Sequence, residues 1–313
     1  MLSCMVNKQI KRNKIVMEIL TQRNQYTNSK QSIYLGTMDQ ANARWAFNAS
    51  KWTPTFEQIM AASSYIQPEE KQRISKYVFQ DDAKSSLIGR LMLRKFVHTT
   101  TLLEYQNISF GRDGRGKPYL IGTGDITVNF NVSHQGDYVV LGGSEGKNIG
   151  IDLMKIEPPA NKNIPEFFRI MRRQFSDHEW KTIYSYFKES EQIACFYRMW
   201  CLKESYVKNI GLGITVALNE ISFNVKSELK VGEITMDTKL YVRNCLKENW
   251  FFEETFIDDK HAVAVSYEDD NGQRNPLTYK FLSYDDLVKE AKPLVAPDAE
   301  FANNFVQKKV KPQ

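Results

Sequence analysis

The sequence predicts an α+β protein made of two similar halves. The order of helices followed by a β-hairpin occurs twice along the chain, and 42% apolar residues among 313 are enough for a substantial core. No uninterrupted apolar run approaches the roughly 18 residues that a membrane span requires. Because the order repeats without close sequence identity, we expect a pseudo-twofold arrangement of the two α+β halves.

The first half, residues 31–148, combines two amphipathic helices with a hairpin. Pro68 suits a first helical position, and Leu87 and Leu91 are spaced as on one face of a second helix. The run VNFNVSHQ alternates apolar and polar residues and therefore predicts a strand. A turn at residues 135–137 returns the chain as a second strand.

The second half, residues 149–271, repeats this order. Ser176 and Glu179 form a capping-box pattern at the start of one helix. A longer helix is predicted from about residue 191 to residue 210, where the following glycine stops it. The aromatic-rich run NWFFEETF then predicts a strand, a turn at residues 258–260 and a returning strand.

Both ends of the chain are predicted to lie outside the core. Residues 1–30 carry six lysines and arginines against the single acid Glu18, which indicates a disordered basic extension. A mitochondrial transit peptide is the alternative, but such segments prefer arginine and this one prefers lysine. Residues 272–313 read as a polar tail with one short helical patch at residues 284–289.

Composition excludes several classes of protein. The four cysteines show neither a disulfide framework nor a paired CxxC metal pattern, so we expect a reducing compartment, the cytosol. The net charge of +5 can attract an acidic protein, a phosphorylated small molecule or nucleic acid. Since the charges are dispersed and no nucleic-acid motif is present, we expect no nucleic-acid partner, and we expect no membrane partner either.

Asp152 stands inside the β-branched run NIGIDLMK, which predicts a strand. An acid is disfavoured there, so it needs a partner. Backbone amides at the strand end are the simpler partner. The alternative is a hard cation such as Mg²⁺, which takes carboxylate oxygens and keeps several waters.

Glu204 lies on a predicted helix that is apolar almost all round. Trp200, Glu204 and Lys208 follow one another at one-turn intervals on one side. An exposed Glu-Lys pair would contribute only about 0.3 to 0.5 kcal/mol. The surrounding aromatic residues imply burial instead, and a strand carboxylate, a helix carboxylate, Mg²⁺ and a phosphate would satisfy one another there.

The pairing of IGIDLMK with WCLKESYVK resembles the signature of the 4'-phosphopantetheinyl transferases of the large, pseudodimeric type. The resemblance continues through ARWAFNASKW, SLIGRLMLRKF, GRGKPYL, NFNVSHQGDY and IPEFFRIMRRQFSDHEW, and covers roughly residues 40–270. It implies that family's fold. It also implies transfer of 4'-phosphopantetheine from coenzyme A to a serine of an acyl or peptidyl carrier domain, with release of 3',5'-ADP.

The resemblance further implies the site residues. Asp152 and Glu204 match the magnesium-binding acids, and Glu204 and Lys208 match positions near the coenzyme pyrophosphate, so these three are the expected catalytic residues. The positions that match coenzyme-contacting segments are Arg44, Arg90, Leu91, Met92, Leu93, Arg94, Lys95, Asn131, Val132, Ser133 and His134.

Side-chain chemistry bears on three further segments of the sequence. Arg90 and Arg94 would form a basic stripe whose guanidinium forks suit phosphate, although such a stripe is more commonly a solvated face. The run GRDGRGKPYL predicts a Gly-rich turn with exposed basic residues and no catalytic role, because its spacing excludes a Walker-type loop. Some relatives carry a third acid where this chain has Met154, a poor magnesium ligand, so water is expected there.

The implied reaction is attack of the carrier serine hydroxyl on the coenzyme phosphate that bears the pantetheine arm. Glu204 is the candidate for accepting the serine proton, directly or through water, and Lys208 for stabilising phosphate charge. The expected acceptors are carrier domains of fatty-acid synthase, of a mitochondrial acyl carrier protein and of an aminoadipate-semialdehyde dehydrogenase, and the expected enzyme is a monomer. The alternative is a non-catalytic binder of coenzyme A or of carrier domains.

Overall fold

Each half of the protein is built around three antiparallel strands with one 22-residue helix packed across them. This computed structural model describes residues 42–122, 128–160, 162–211, 217–272 and 275–311. The basic extension expected at residues 1–30 lies outside the described residues.

The predicted helices and hairpins occur in the predicted order, together with further strands and helices that the sequence did not predict. The first half comprises β1 (Ala43–Asn48), α1 (Phe56–Ser64), α2 (Pro68–Ser75), α3 (Gln80–Thr101), β2 (Phe110–Arg112), β3 (Pro118–Leu120), β4 (Val128–Gln135) and β5 (Tyr138–Glu145). The second half comprises β6 (Ile149–Lys155), α4 (Ile164–Met171), α5 (Asp177–Tyr184), α6 (Glu189–Ile210), β7 (Ile221–Asn224), β8 (Lys239–Val242), β9 (Cys245–Leu246), β10 (Trp250–Phe256) and β11 (His261–Glu268). The final elements are β12 (Lys280–Phe281), α7 (Tyr284–Val288) and α8 (Ala299–Val306).

The two halves share one strand topology. In the first half β5 pairs antiparallel with β1 on one side and with β4 on the other. In the second half β11 pairs in the same way with β6 and with β10. A first strand, a long helix and a hairpin therefore recur in the same sequence order and the same spatial order. The predicted pseudo-twofold α+β architecture is confirmed.

Local chemistry sets the helix boundaries. Pro68 occupies the first turn of α2, and Ser176 and Glu179 form the predicted capping box of α5. Gly211 ends α6 with φ of 67°, a left-handed conformation that glycine adopts without steric cost. Leu102 ends α3 in the same region, with φ of 56°. No described helix is both long and apolar enough to cross a bilayer.

Strand β4 lies against β6 where the two halves meet, and side chains of alternate β4 residues bridge to it. Asn131 and Gln135 accept hydrogen bonds from backbone amides of β6. Between them, Ser133 donates to the carboxylate of Asp152. This seam of side chains fixes the register of β6 against the first half, and so fixes the position of Asp152.

Helix α6 approaches β6 directly at Gly150. A side-chain carbon there would overlap the carbonyl oxygen of Ser205, so only glycine permits this distance between helix and strand. The close approach brings the neighbouring turn of α6, with Glu204 and Lys208, to the level of Asp152. The glycine in IGIDLMK thus serves the geometry of the site.

The segment after residue 275 packs into the first half, which corrects the prediction that the tail lies outside the core. Strand β12 pairs parallel with β1, and α7 and α8 pack on α1, α2 and α3. The residues of this segment that join the first hydrophobic core are Leu282, Tyr284, Leu287, Phe301, Ala302 and Phe305. The prediction was wrong because helices of five and eight residues give too few turns for a clear periodicity. The predicted helical patch itself is present as α7.

Candidate active site

A cleft of about 660 Å³ opens between the two halves. The first half contributes the end of α2, the first half of α3, the turn between β2 and β3, and β4. The second half contributes α6 and the residues at the end of α4. A ligand in this cleft would contact both halves, so its affinity depends on how they are held together.

Asp152 is the buried acid behind the cleft, with 4% of its surface exposed. Its Oδ1 accepts hydrogen bonds from Lys208 Nζ at 2.6 Å and from Ser133 Oγ at 2.8 Å, while Lys208 Nζ also donates to Ser133 Oγ at 2.9 Å. Its Oδ2 is buried and has no hydrogen-bond partner among the described residues. A buried carboxylate oxygen without a partner is unfavourable and leaves a position for a cation.

Glu204 faces the same place from α6 and lines the cleft. Burial raises the pKa of its carboxyl group; the negative charge of Asp152 raises it further, and Lys208 offsets part of this. The structure thus brings the two predicted acids together from a strand and a helix. Trp200, Glu204 and Lys208 share the cleft-facing side of α6, as their one-turn spacing predicts.

The donor set fits a hard divalent cation that also takes oxygens from elsewhere. Asp152 and Glu204 offer carboxylate oxygens, and Oδ2 of Asp152 has no hydrogen-bond partner in the described part of the chain. Within the described ranges, no group of three or more His, Cys, Asp or Glu residues could hold a metal ion. Met154 packs against the core of the second half. A bound Mg²⁺ would therefore need water or ligand oxygens for its remaining positions.

The cleft is strongly cationic. Six of its described lining residues are basic and two are acidic. The basic ones are Arg73, Arg90, Arg112, Arg115, Lys117 and Lys208, and the acidic ones are Asp113 and Glu204. Such an excess of positive charge between low-dielectric walls favours a polyanionic ligand.

Arg90 is the most deeply placed arginine of the cleft. Its Nε and Nη1 are buried and have no hydrogen-bond partner among the described residues. The nearest acid, Glu70, lies 3.8 Å from Nε and is occupied by Arg112 at 2.7 Å. Burial lowers the pKa of Arg90 to about 10, which still leaves it charged at neutral pH. These nitrogens are suited to an anion in the cleft.

The turn between β2 and β3, residues 113–117, reaches across the cleft to the other half. Arg115 donates to the carbonyl of Gly211, and Lys117 Nζ donates to the carbonyl of Lys208 at 3.2 Å. These carbonyls belong to the C-terminal end of α6, where backbone acceptors lack helical partners and the dipole favours cations. The turn therefore joins the two halves and adds charge beside Lys208.

Sequence reasoning missed two parts of this surface. The run GRDGRGKPYL is a Gly-rich turn as predicted, but its Arg112, Arg115 and Lys117 line the cleft rather than standing apart from it. Arg73 on α2 also lines the cleft and is absent from the sequence-based prediction. Three cations in one glycine-rich turn were the available signal. The spacing of the turn excludes a Walker-type loop, but it does not exclude phosphate contacts by these cations.

Several residues expected at the coenzyme lie elsewhere. Arg44 is buried in an ion pair with Glu253 at 2.6 Å, and Arg94 donates to the backbone carbonyls of Tyr105 and Ile108. Lys95 forms an ion pair with Glu290 at 3.2 Å and does not line the described cleft. The others, which are buried in the core of the first half, are Leu91, Met92 and Leu93.

The physical reason is helical geometry. Consecutive residues of a helix point about 100° apart, so a run of six cannot face one ligand. Of that run, only Arg90 lines the cleft among the described residues. The expected residues that do line it are Arg90, Asn131, Val132, His134, Glu204 and Lys208. Ser133 and Asp152 stand directly behind them through their bonds to Lys208.

Comparison with known proteins matches the same two halves. The family model described as 4'-phosphopantetheinyl transferase, N-terminal, matches residues 50–146. The model of the 4'-phosphopantetheinyl transferase superfamily matches residues 148–266. The boundary between the two matches falls at the junction of β5 and β6.

Full-length relatives agree. The chain is 38% identical to the L-aminoadipate-semialdehyde dehydrogenase-phosphopantetheinyl transferase of Homo sapiens over 84% of this chain and 90% of the relative. It is 31% identical to a phosphopantetheinyl transferase of Thraustochytrium over 72% and 77%, and 27% identical to the 4'-phosphopantetheinyl transferase of Bacillus subtilis over 68% and 86%. Since both halves match in order and the similarity to the human relative extends over 90% of its length, the chain belongs to the 4'-phosphopantetheinyl transferase superfamily.

Proposed function

We propose that the chain transfers the 4'-phosphopantetheine group of coenzyme A to a serine of acyl or peptidyl carrier domains and releases 3',5'-ADP. The convergence of Asp152, Glu204 and Lys208 at the wall of a cationic cleft carries this proposal. A protein that only bound the coenzyme would need the basic residues but not two buried acids beside them. Membership of the family supports transfer over binding alone.

Coenzyme A is the polyanion that we assign to the cleft. It carries a 3'-phosphate and a pyrophosphate, and arginine forks bind such oxygens bidentately. Two guanidinium nitrogens of Arg90 have no hydrogen bond to the residues that the structure describes, and Arg73 and Arg112 line the same side of the cleft. Lys117 and Lys208 stand toward the two acids, so we assign the pyrophosphate to that end.

Asp152 and Glu204 are the residues that would hold Mg²⁺. The buried Oδ2 of Asp152, which has no hydrogen-bond partner among the described residues, supports this assignment. The pKa of Glu204 also supports it, because burial and then the negative charge of Asp152 raise that pKa. When bound, the ion supplies neutralisation of the negative charge on the pyrophosphate oxygens.

The reaction forms a bond between the carrier serine oxygen and the phosphorus that bears the pantetheine arm, and breaks the bond from that phosphorus to 3',5'-ADP. Lys208 stabilises charge on the phosphate oxygens, and its bonds to Asp152 and Ser133 hold its ammonium group in place. Glu204 accepts the serine proton, directly or through a water. Its raised pKa makes it a better base than an ordinary carboxylate, an advantage that metal binding reduces.

Mass spectrometry of an apo carrier domain tests the function. With coenzyme A and Mg²⁺, we expect the carrier to gain one phosphopantetheine, and we expect a chelator to stop the gain until Mg²⁺ is restored. A carrier whose acceptor serine is replaced by alanine is the control. Full transfer in chelator would contradict the metal role, and coenzyme binding without transfer to any carrier would favour the non-catalytic binder.

We further propose that carrier domains dock beside the cleft through their own acidic helices. We also propose that the enzyme is a monomer, because one chain supplies both walls of the cleft. Arg169 and Arg173 are exposed next to Met171 and Gln174, which line the cleft. Exposed charges are screened within about 10 Å at 0.1 M salt, so the second-order rate of transfer should fall as salt rises. A rate that does not change with ionic strength would contradict this docking mode.

Three carrier domains are the candidate acceptors: those of fatty-acid synthase, of a mitochondrial acyl carrier protein and of an aminoadipate-semialdehyde dehydrogenase. The name of the human relative favours the last. Rates measured for all three carriers under one set of conditions would rank them.

A further inference from the structure

Residues 298–311, here called the strap, pack against the first half and reach the junction of α2 and α3. We propose that Lys308 in the strap is a positioning residue that holds one wall of the coenzyme cleft. The proposal rests on the assignment of coenzyme A to this cleft. Lys308 is not among the described residues that line the cleft, so its effect must pass through the residues that it holds.

Lys308 completes the C-terminal end of α2. Its Nζ donates to the carbonyl of Ser75 at 2.9 Å and to the carbonyl of Tyr77 at 2.6 Å. Ser75 is the last residue of the helix and Tyr77 lies two residues beyond it, where backbone acceptors have no intrahelical donor and the dipole favours a cation. Partial burial lowers the pKa of Lys308, as expected for an ammonium group that is held against the protein.

The strap also fixes the start of α3. The carbonyl of Lys309 accepts from the first backbone amide of that helix, on Gln80, at 2.8 Å. Lys311 Nζ lies 2.7 Å from Asp82 in the first turn. The link between the two helices, residues 76–79, is therefore clamped at both of its ends by one short stretch of chain.

The strap is itself anchored at its other end. Lys71 on α2 pairs with Asp298 at 3.0 Å, and Phe301 and Phe305 of α8 are buried in the core of the first half. The contacts that the strap makes with the link therefore start from a helix that is buried in the core. They can hold the link in one position.

The strap holds residues that form one wall of the cleft. Tyr77 in the link and Arg73 in the preceding helix both line the cleft, and Arg90 lies farther along the α3 helix that follows the link. If the link were loose, coenzyme binding would have to order it at a cost in conformational entropy. The acids and Lys208 stand on β6 and α6, away from the link, so the chemical step itself should be spared.

The test compares Lys308→Ala with Lys309→Ala in the full chain. Lys309 is the matched control because it is adjacent and its side chain has no hydrogen bond or ion pair to the rest of the described structure. For Lys308→Ala we expect KM for coenzyme A, and the Kd of 3',5'-ADP by calorimetry, to rise about three- to tenfold. We expect kcat to change less than about twofold. Lys308→Arg should restore the affinity.

Hydrogen exchange supplies a readout that does not depend on the ligand. Amides of residues 76–80 should exchange faster in Lys308→Ala than in the wild type or in Lys309→Ala. Unchanged KM and exchange in Lys308→Ala would overturn the proposal. A fall in kcat together with a lower Tm would also overturn it, because it would show general destabilisation. A wild-type protein that binds no coenzyme would instead defeat the proposed function, while the exchange experiment would still test the clamp.

Discussion

Asp152→Ala and Glu204→Ala should each reduce transfer by at least about a thousandfold, which corresponds to several kcal/mol of lost charge stabilisation. Asp152→Ala also removes the carboxylate that holds Lys208 at 2.6 Å. Glu204→Ala removes the second acid together with the proposed proton acceptor. Both variants should fold, because Lys208 and Glu204 are partly exposed and water can replace the lost contacts.

The measurement is the initial rate of carrier modification at saturating coenzyme A, with Tm recorded for each variant. Glu157→Ala, at an exposed acid shortly after β6, is the matched control and should keep full activity. We also expect the Mg²⁺ concentration needed for half-maximal rate to be unmeasurable for both active-site variants. Full transfer by both variants would refute the metal assignment and leave the cleft as a coenzyme-binding site only.

The secondary structure was predictable because the signals that set it are local. The turn at residues 135–137, the capping box of α5 and the glycine that ends α6 each act within a few residues of chain. The repeated order of elements was enough to predict two halves. What the sequence could not supply was the seam between β4 and β6, since Asn131 and Gln135 there bond across the halves through side chains. An alternating strand pattern does not reveal such partners.

The candidate site divides in the same way. Two acids in apolar settings were visible because a buried charge needs a partner, whatever the fold. The sequence could not predict which arginines bind a ligand, because that depends on ion-pair partners far along the chain. Arg44 is neutralised by Glu253, whereas Arg90 keeps nitrogens that have no hydrogen bond to the described residues.

The lysine directly before Glu204 has a different task from Lys208. Lys203 and Glu179 have no exposed surface and lie 2.9 Å apart, and Lys203 Nζ also donates to the carbonyls of Leu218 and Ile221. These contacts tie α6 to the start of α5, to the first residue of β7 and to the segment before it. It therefore stabilises the part of α6 from which Glu204 projects.

Lys203→Met should lower the free energy of unfolding by about 3 to 5 kcal/mol, because it leaves Glu179 buried without its cation. Burial already raises the pKa of Glu179 despite Lys203, and loss of the lysine should raise it further. A carboxyl group whose folded pKa is raised destabilises the fold above that pKa and not below the unfolded value. The deficit of the variant should therefore be largest at neutral pH and shrink as the pH falls toward the ordinary range of glutamate.

Urea unfolding across this pH range measures the effect, with Lys188→Met, at an exposed lysine just before α6, as the control. Adding Glu179→Leu to Lys203→Met should recover much of the loss, since an apolar pair removes the uncompensated charge. Wild-type stability of Lys203→Met at every pH would mean that the pair of Lys203 and Glu179 does not stabilise α6. A deficit of constant size across the pH range would assign the loss to the broken contacts with Leu218 and Ile221 instead of to the charge on Glu179.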